Sequence, residues 1–171
     1  MGKLRELLAN EAEKIRSEKA QRQETLSEWL RLLDGLFTQI DTWLKASDPE
    51  GLLDVSSEMA TINDPSLGEY KAPMRRIVLG DKSVEIVPRA RKSITSIRPP
   101  GAEKPMRAQG VVSIRSLGWV SYDLFQLPVG KWYIRSTAQN LNPTQNAKDF
   151  DNPVEVLDAE LFEAAIASVL G

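Results

Sequence analysis

The chain has 171 residues, 42% of them apolar, a formal net charge of −2, and neither cysteine nor histidine. That composition suits one domain with a real core and excludes disulfides, thiolate metal sites, cysteine nucleophiles, Ser-His-Asp triads and histidine-bearing zinc or iron sites. Any catalysis would have to come from carboxylates, lysine, tyrosine or a bound cofactor, and no catalytic or cofactor motif is recognisable.

Residues 1–24 read as a charged helical extension. Leu4, Leu7, Leu8 and Ile15 form a thin apolar stripe with Ala9, Ala12 and Ala20 as filler. The remainder is mixed charge, with weakly supporting pairs such as Lys14–Glu18 and Glu18–Arg22. Residues 17–24 offer almost nothing to bury, and no Gly or Pro interrupts them. The extension therefore either folds back as a helical hairpin or runs straight into the next segment, in which case it either projects or lies as a solvated helix on the domain surface.

Thr25–Leu44 is the dominant helical signal. Leu26, Trp29, Leu33, Leu36, Ile40 and Trp43 recur at spacings of three and four, and Leu30, Phe37 and Leu44 widen the stripe. A stripe that wide faces a core. Gly35 inside it marks a close backbone approach or a bend. The run ends before Pro49, since proline disfavours helical geometry in the residue ahead of it. Trp29 and Trp43 have two readings: core packing, or contact points for another chain.

From Leu52 the pattern is ambiguous between helix and strand, and strand is the preferred reading. Asn63–Gly68 is a loop. From Tyr70 the period becomes two. Met74–Gly80 and Ser83–Pro88 predict a hairpin, Ser93–Ile97 a short strand, and Pro99–Gln109 a proline-rich loop. Val111–Ser116, Trp119–Gln126 and Lys131–Ser136 predict three further strands, joined too tightly for parallel crossovers. Thr137–Pro153 is a polar connection, either mobile or a lid. Within it Asp149-Phe150-Asp151-Asn152 resembles a fragment of a calcium loop but lacks the remaining ligands. Asp158 then caps a final helix, Ala159–Leu170. The fold expected is α+β: a long N-terminal helix (or helical hairpin) and a C-terminal helix packed on a meander of five or six antiparallel strands, with residues 25–171 as one domain.

Charge is unevenly placed. Residues 1–70 carry 8 basic and 14 acidic side chains, residues 71–135 carry 13 and 4, and residues 136–171 carry 1 and 6. Strand alternation groups Arg89, Arg91, Arg115, Lys131 and Arg135 with Tyr133 on one polar sheet face. That face is a candidate anion or nucleic-acid surface. The competing reading is that these bases pair with Asp123, Glu85 and the acidic helices.

Three functional readings follow. The first is a non-enzymatic interaction module, cytoplasmic by default. It self-associates or binds a protein partner through its N-terminal helix, with Leu4, Leu8, Ile15, Trp29 and Trp43 as contacts. The second is a nucleic-acid-binding accessory protein using the basic face. The third is a small-ligand pocket between sheet and helix. No cofactor, metal or membrane span is expected: no run of about 18 apolar residues occurs, and Met1-Gly2 lacks the Ser or Thr that myristoylation wants, Glu6 standing there.

Overall fold

A computed structural model describes residues 2–93, 95–128, 130–137 and 154–171. The chain opens with a single helix, α1 (Lys3–Ser47), 45 residues long. At 1.5 Å per residue it extends for about 68 Å. The extension and the apolar run are thus one continuous rod, and the hairpin alternative is excluded. From Lys3 to Glu24 every side chain is exposed except half-buried Ala12. Beyond that point Trp29, Leu33, Leu36, Phe37, Ile40 and Leu44 are buried, which is the stripe expected from their spacing. Gly35 lies on the exposed side with nothing within 4 Å of an added Cβ, so it serves no close approach. Asp48 ends the helix and organises the next turn. Its carboxylate accepts the backbone N–H groups of Leu52 and Leu53, both at 2.8 Å.

Among the described residues nine strands follow: β1 (Asp54–Asp64), β2 (Gly68–Leu79), β3 (Lys82–Ala90), β4 (Ser96–Ile97), β5 (Met106–Arg107), β6 (Gly110–Ser116), β7 (Trp119–Gln126), β8 (Trp132–Ser136) and β9 (Glu155–Val156). Seven of them form one antiparallel sheet in the order β1-β2-β3-β6-β7-β8-β9, and β4 and β5 pair separately. The fold is α+β as expected, with more strands than the five or six anticipated. The additions are two-residue strands, too short to show alternation, and one of them, β5, lies in the proline-rich stretch expected to be only loop. The ambiguous stretch after Leu52 is strand β1. Apart from Thr137, the polar connection 137–153, including the acidic 149–152 segment, lies outside the described residues.

Helix α2 (Ala159–Leu170) closes the chain. Asp158 caps it by accepting the Leu161 N–H at 2.8 Å, a contact that satisfies one of the orphan donors at a helix start. Its Phe162, Ala165, Ile166 and Leu170 join the α1 stripe over one face of the sheet, where Ile86, Val112, Ile114, Leu124 and Ile134 are buried. The ring of Trp43 lies 5.5 Å from that of Phe162.

The other sheet face carries a smaller core. Ile97, Ala108, Val111, Phe125, Leu127, Tyr133 and Val154 pack together there, with Met106 against them. The two-stranded β4–β5 ladder supplies Ile97 and Met106. The central strands are therefore buried on the helix side and partly covered on the other, while edge strand β1 stays open at Val55 and Ser57.

One side chain ties α1 to the sheet. Trp29 is fully buried, and its ring lies where a Cβ on Gly110 would fall, at 2.4 and 2.6 Å. Its indole N–H donates to the Tyr70 hydroxyl at 3.0 Å. That hydroxyl also lies 3.3 Å from Oδ2 of buried Asp64. The same Oδ2 accepts the Arg91 backbone N–H at 2.7 Å, while Oδ1 accepts the N–H and hydroxyl of Ser66, each at 2.8 Å. Burial pushes the Asp64 carboxyl up. The hydrogen bonds from Arg91, Ser66 and Leu67 outweigh it and hold the group below its ordinary value. Burial, partly relieved by the Trp29 hydrogen bond, drives the Tyr70 hydroxyl well above its ordinary value.

Two outcomes are expected. Trp29→Ala costs about 3–5 kcal/mol and Gly110→Ala about 1–3 kcal/mol by overpacking, read as shifts in the denaturant midpoint. Because they share one contact, Gly110→Ala costs less in a Trp29→Phe background. Asp64 is held more acidic when folded than when unfolded. Its contribution is therefore complete above the unfolded carboxylate value of about 4 and is lost as pH falls through the lower folded value. Asp64→Asn destabilises at neutral pH by about 1–3 kcal/mol, and chemical denaturation across a pH series shows the gap to wild type narrowing below about pH 4.

Candidate functional site

Strand pairing fixes which bases share the sheet face turned away from α1. Across it run the pairs Glu85–Arg115, Val87–Ser113, Ser113–Asp123 and Asp123–Arg135. Arg89 and Arg115 line a groove of about 830 Å³ on that face, together with Lys92, Asp123, Asn63 and Phe125.

The six residues expected to form a common basic face are distributed otherwise. Arg89 and Arg115 reach the groove. Arg91 does not share their face. A register shift between Pro88 and Ala90 inverts the alternation, so Arg91 turns toward α1. There its guanidinium lies 5.7 Å from the Trp29 ring, donates to the Gln109 carbonyl at 2.5 Å and stands 3.6 Å from Glu28. Tyr133 is buried in the smaller core and has no free face to stack a base. Lys131 is exposed, but it precedes β8 at the end of the sheet opposite Arg115, roughly 25 Å of strand away. Arg135 is on the expected side of the sheet but buried, its guanidinium 5.1 Å from the Phe125 ring.

The bases that do meet are largely matched by acids. Glu85 lies between two arginines, 3.0 Å from Arg76 and 2.9 Å from Arg115. Arg76 also reaches Glu58 at 3.5 Å. Asp123 accepts the Ser113 hydroxyl at 3.1 Å and stands 3.8 Å from Arg89. Alternation signalled that bases would share a strand face. It carried no sign of the bulge that removes Arg91, nor of the β4–β5 ladder that covers Tyr133.

The residues expected to contact a partner also divide. Trp29 is core, and half-buried Trp43 packs on α2, so both aromatics serve the domain itself. Leu4, Leu8 and Ile15 are 66, 59 and 60% exposed, and Leu7 beside them is exposed too. Apolar side chains that open to water in one row on a solvated helix are a surface feature the fold leaves unaccounted for, as are Leu117 and Trp119 at the β6–β7 turn, 90 and 80% exposed.

Among the described residues no cluster of His, Cys, Asp and Glu could hold a metal ion, and no helix is long and apolar enough to cross a membrane. No family model matches the chain, and neither a curated protein nor a solved structure matches it.

If Glu85 balances the groove, its neutralisation has a local effect. Glu85→Gln costs less than about 1 kcal/mol, because Glu85 and both its arginine partners are partly solvated. It also raises the salt needed to elute the protein from immobilised heparin by more than the same charge change at exposed Glu50→Gln does. Equal elution of the two variants means that Glu85 does not mask the arginines.

Proposed function

We propose that the protein is a non-enzymatic interaction module that associates with a second copy of itself through the N-terminal part of α1. The observation that carries this reading is the row Leu4, Leu7, Leu8 and Ile15, exposed on a helix segment of some 22 residues that contributes nothing to the core. A solvated helix gains little from such leucines by itself. Burying each against a partner is favourable by roughly 1.5–3 kcal/mol. Residues 3–24 carry six basic and five acidic side chains. A near-neutral mixture of both signs suits pairing with itself, since no like-charge field builds up. The domain that follows acts as a rigid body displayed by the paired rods.

The nucleic-acid reading has less behind it. Two of its arginines and its tyrosine are buried, and the groove arginines face Glu85 and Asp123.

Light scattering tests the proposal on the full chain, on a chain lacking residues 1–22, and on the full-length triple variant Leu4→Glu, Leu8→Glu, Ile15→Glu. We expect a dimer for the first and monomers for the other two, with unchanged thermal unfolding of the domain. Monomer masses for all three overturn it.

A further inference from the structure

The exposed leucines of α1 share a direction with its buried ones. Five turns of an α-helix take up about eighteen residues. On that period Ile15 stands in line with Leu33, Leu8 with Leu44 and Leu4 with Ile40. Leu33, Leu44 and Ile40 are all buried in the core between helix and sheet. The outer row and the core stripe are therefore one face of one helix, open to water near its start and covered by the domain further on. The change comes where the domain first reaches the rod. There Glu18, Arg22 and Thr25 line a cleft of about 520 Å³ with Ser66, Leu67 and Lys92.

That continuity restricts how a second rod can lie on the row. Laid parallel and in step, it would carry its own residues 29–44 along the face that the sheet already fills. The rods would have to part before Trp29. With no Gly or Pro between Lys3 and Trp29, neither has a joint at which to bend. A parallel pair also stacks each seam position on its own copy. Glu11, Glu18 and Arg22 stand on this same face, and each would meet an identical charge.

Reversing one rod removes both conflicts. With Leu4 opposite the partner's Ile15, Leu8 comes level with the partner's Glu11 and Leu7 with the partner's Ala12. The apolar residues of both rods then lie inside the pair, and Glu11 faces a leucine rather than another carboxylate. The partner's α1 begins at Lys3, which falls level with Arg16, ahead of the cleft and clear of the sheet.

We infer that two copies pair by antiparallel contact of residues 4–15 of α1, the two-fold axis passing between Ala9 and Asn10 and the domains standing at opposite ends of the joined rods. The inference rests on self-association through α1 and adds the direction and register of the contact. The two Trp29 anchors then lie about 60 Å apart along the rods.

The chain has no cysteine, so the full-length protein takes a single spin label at exposed Asn10→Cys or at exposed Glu24→Cys. Double electron–electron resonance reads the separation of the two labels in a dimer. In the antiparallel register each Asn10 is one residue step from its counterpart, and its labels are separated by the width of the pair alone. The two Glu24 positions lie about 44 Å apart along the axis. The Glu24 separation is therefore expected to exceed the Asn10 separation by about 20 Å. Adding Leu8→Glu and Ile15→Glu to the Asn10→Cys chain is expected to abolish the dipolar modulation. Equal separations at the two positions mean parallel rods and overturn the inference, while self-association stands. Modulation that survives the two glutamates puts the contact elsewhere and overturns it too. No modulation at either position, together with monomer masses in light scattering, overturns self-association and this inference with it.

Discussion

The contact on which the architecture depends is the indole of Trp29 seated against the backbone at Gly110. A helix and a sheet can slide over one another when only smooth aliphatic side chains meet. Here the ring occupies the space that any side chain on residue 110 would need, so the rod has one axial position on the sheet. Its N–H is directed as well, because a buried donor without an acceptor is unfavourable, and Tyr70 provides the acceptor. Asp64 then holds that tyrosine and the start of the turn after β3 together. Three distant pieces of chain, α1, the β1–β2 hairpin and the entry to β6, are brought into register by one aromatic side chain and one carboxylate.

The sheet's electrical character follows from pairing rather than from content. The strand region holds most of the basic residues, yet acids stand at the points where bases converge. Glu85 divides its two oxygens between arginines on either side of β3, and Asp123 stands between Arg89 and Arg135. Such half-solvated pairs contribute little stability, but they cancel the field that a polyanion would need. The exception is the interior end of that row. There the acid is shared and the last guanidinium keeps its charge in an apolar setting.

How much of this was legible in the sequence depends on what each feature's signal is made of. The α1 stripe was legible because Trp29, Leu33, Leu36, Ile40 and Trp43 recur at spacings of three and four without a break, and periodicity is a direct image of a one-sided core. The strands were legible for the same reason at period two. The split of the basic face was not. It turns on one irregularity between Pro88 and Ala90, and a single-residue slip exchanges the two faces of a strand without altering composition. The covering of Tyr133 was equally hidden, since β4 and β5 hold two residues each and are specified by tertiary contact alone. Trp29 carried the same local pattern as a partner-binding tryptophan. Only its distant neighbours, Gly110 and Tyr70, distinguish core from surface.

The same rod that is seated by Trp29 also reaches open water at its far end, and no Gly or Pro lies between Lys3 and that indole. Sharp kinks in helices arise at such residues, so this stretch has no built-in joint. The molecule is in effect a lever whose fulcrum is inside the domain. Torque applied by anything gripping the outer leucines is delivered undamped to the ring at Gly110, and a pull outside is felt as strain at the middle of the sheet.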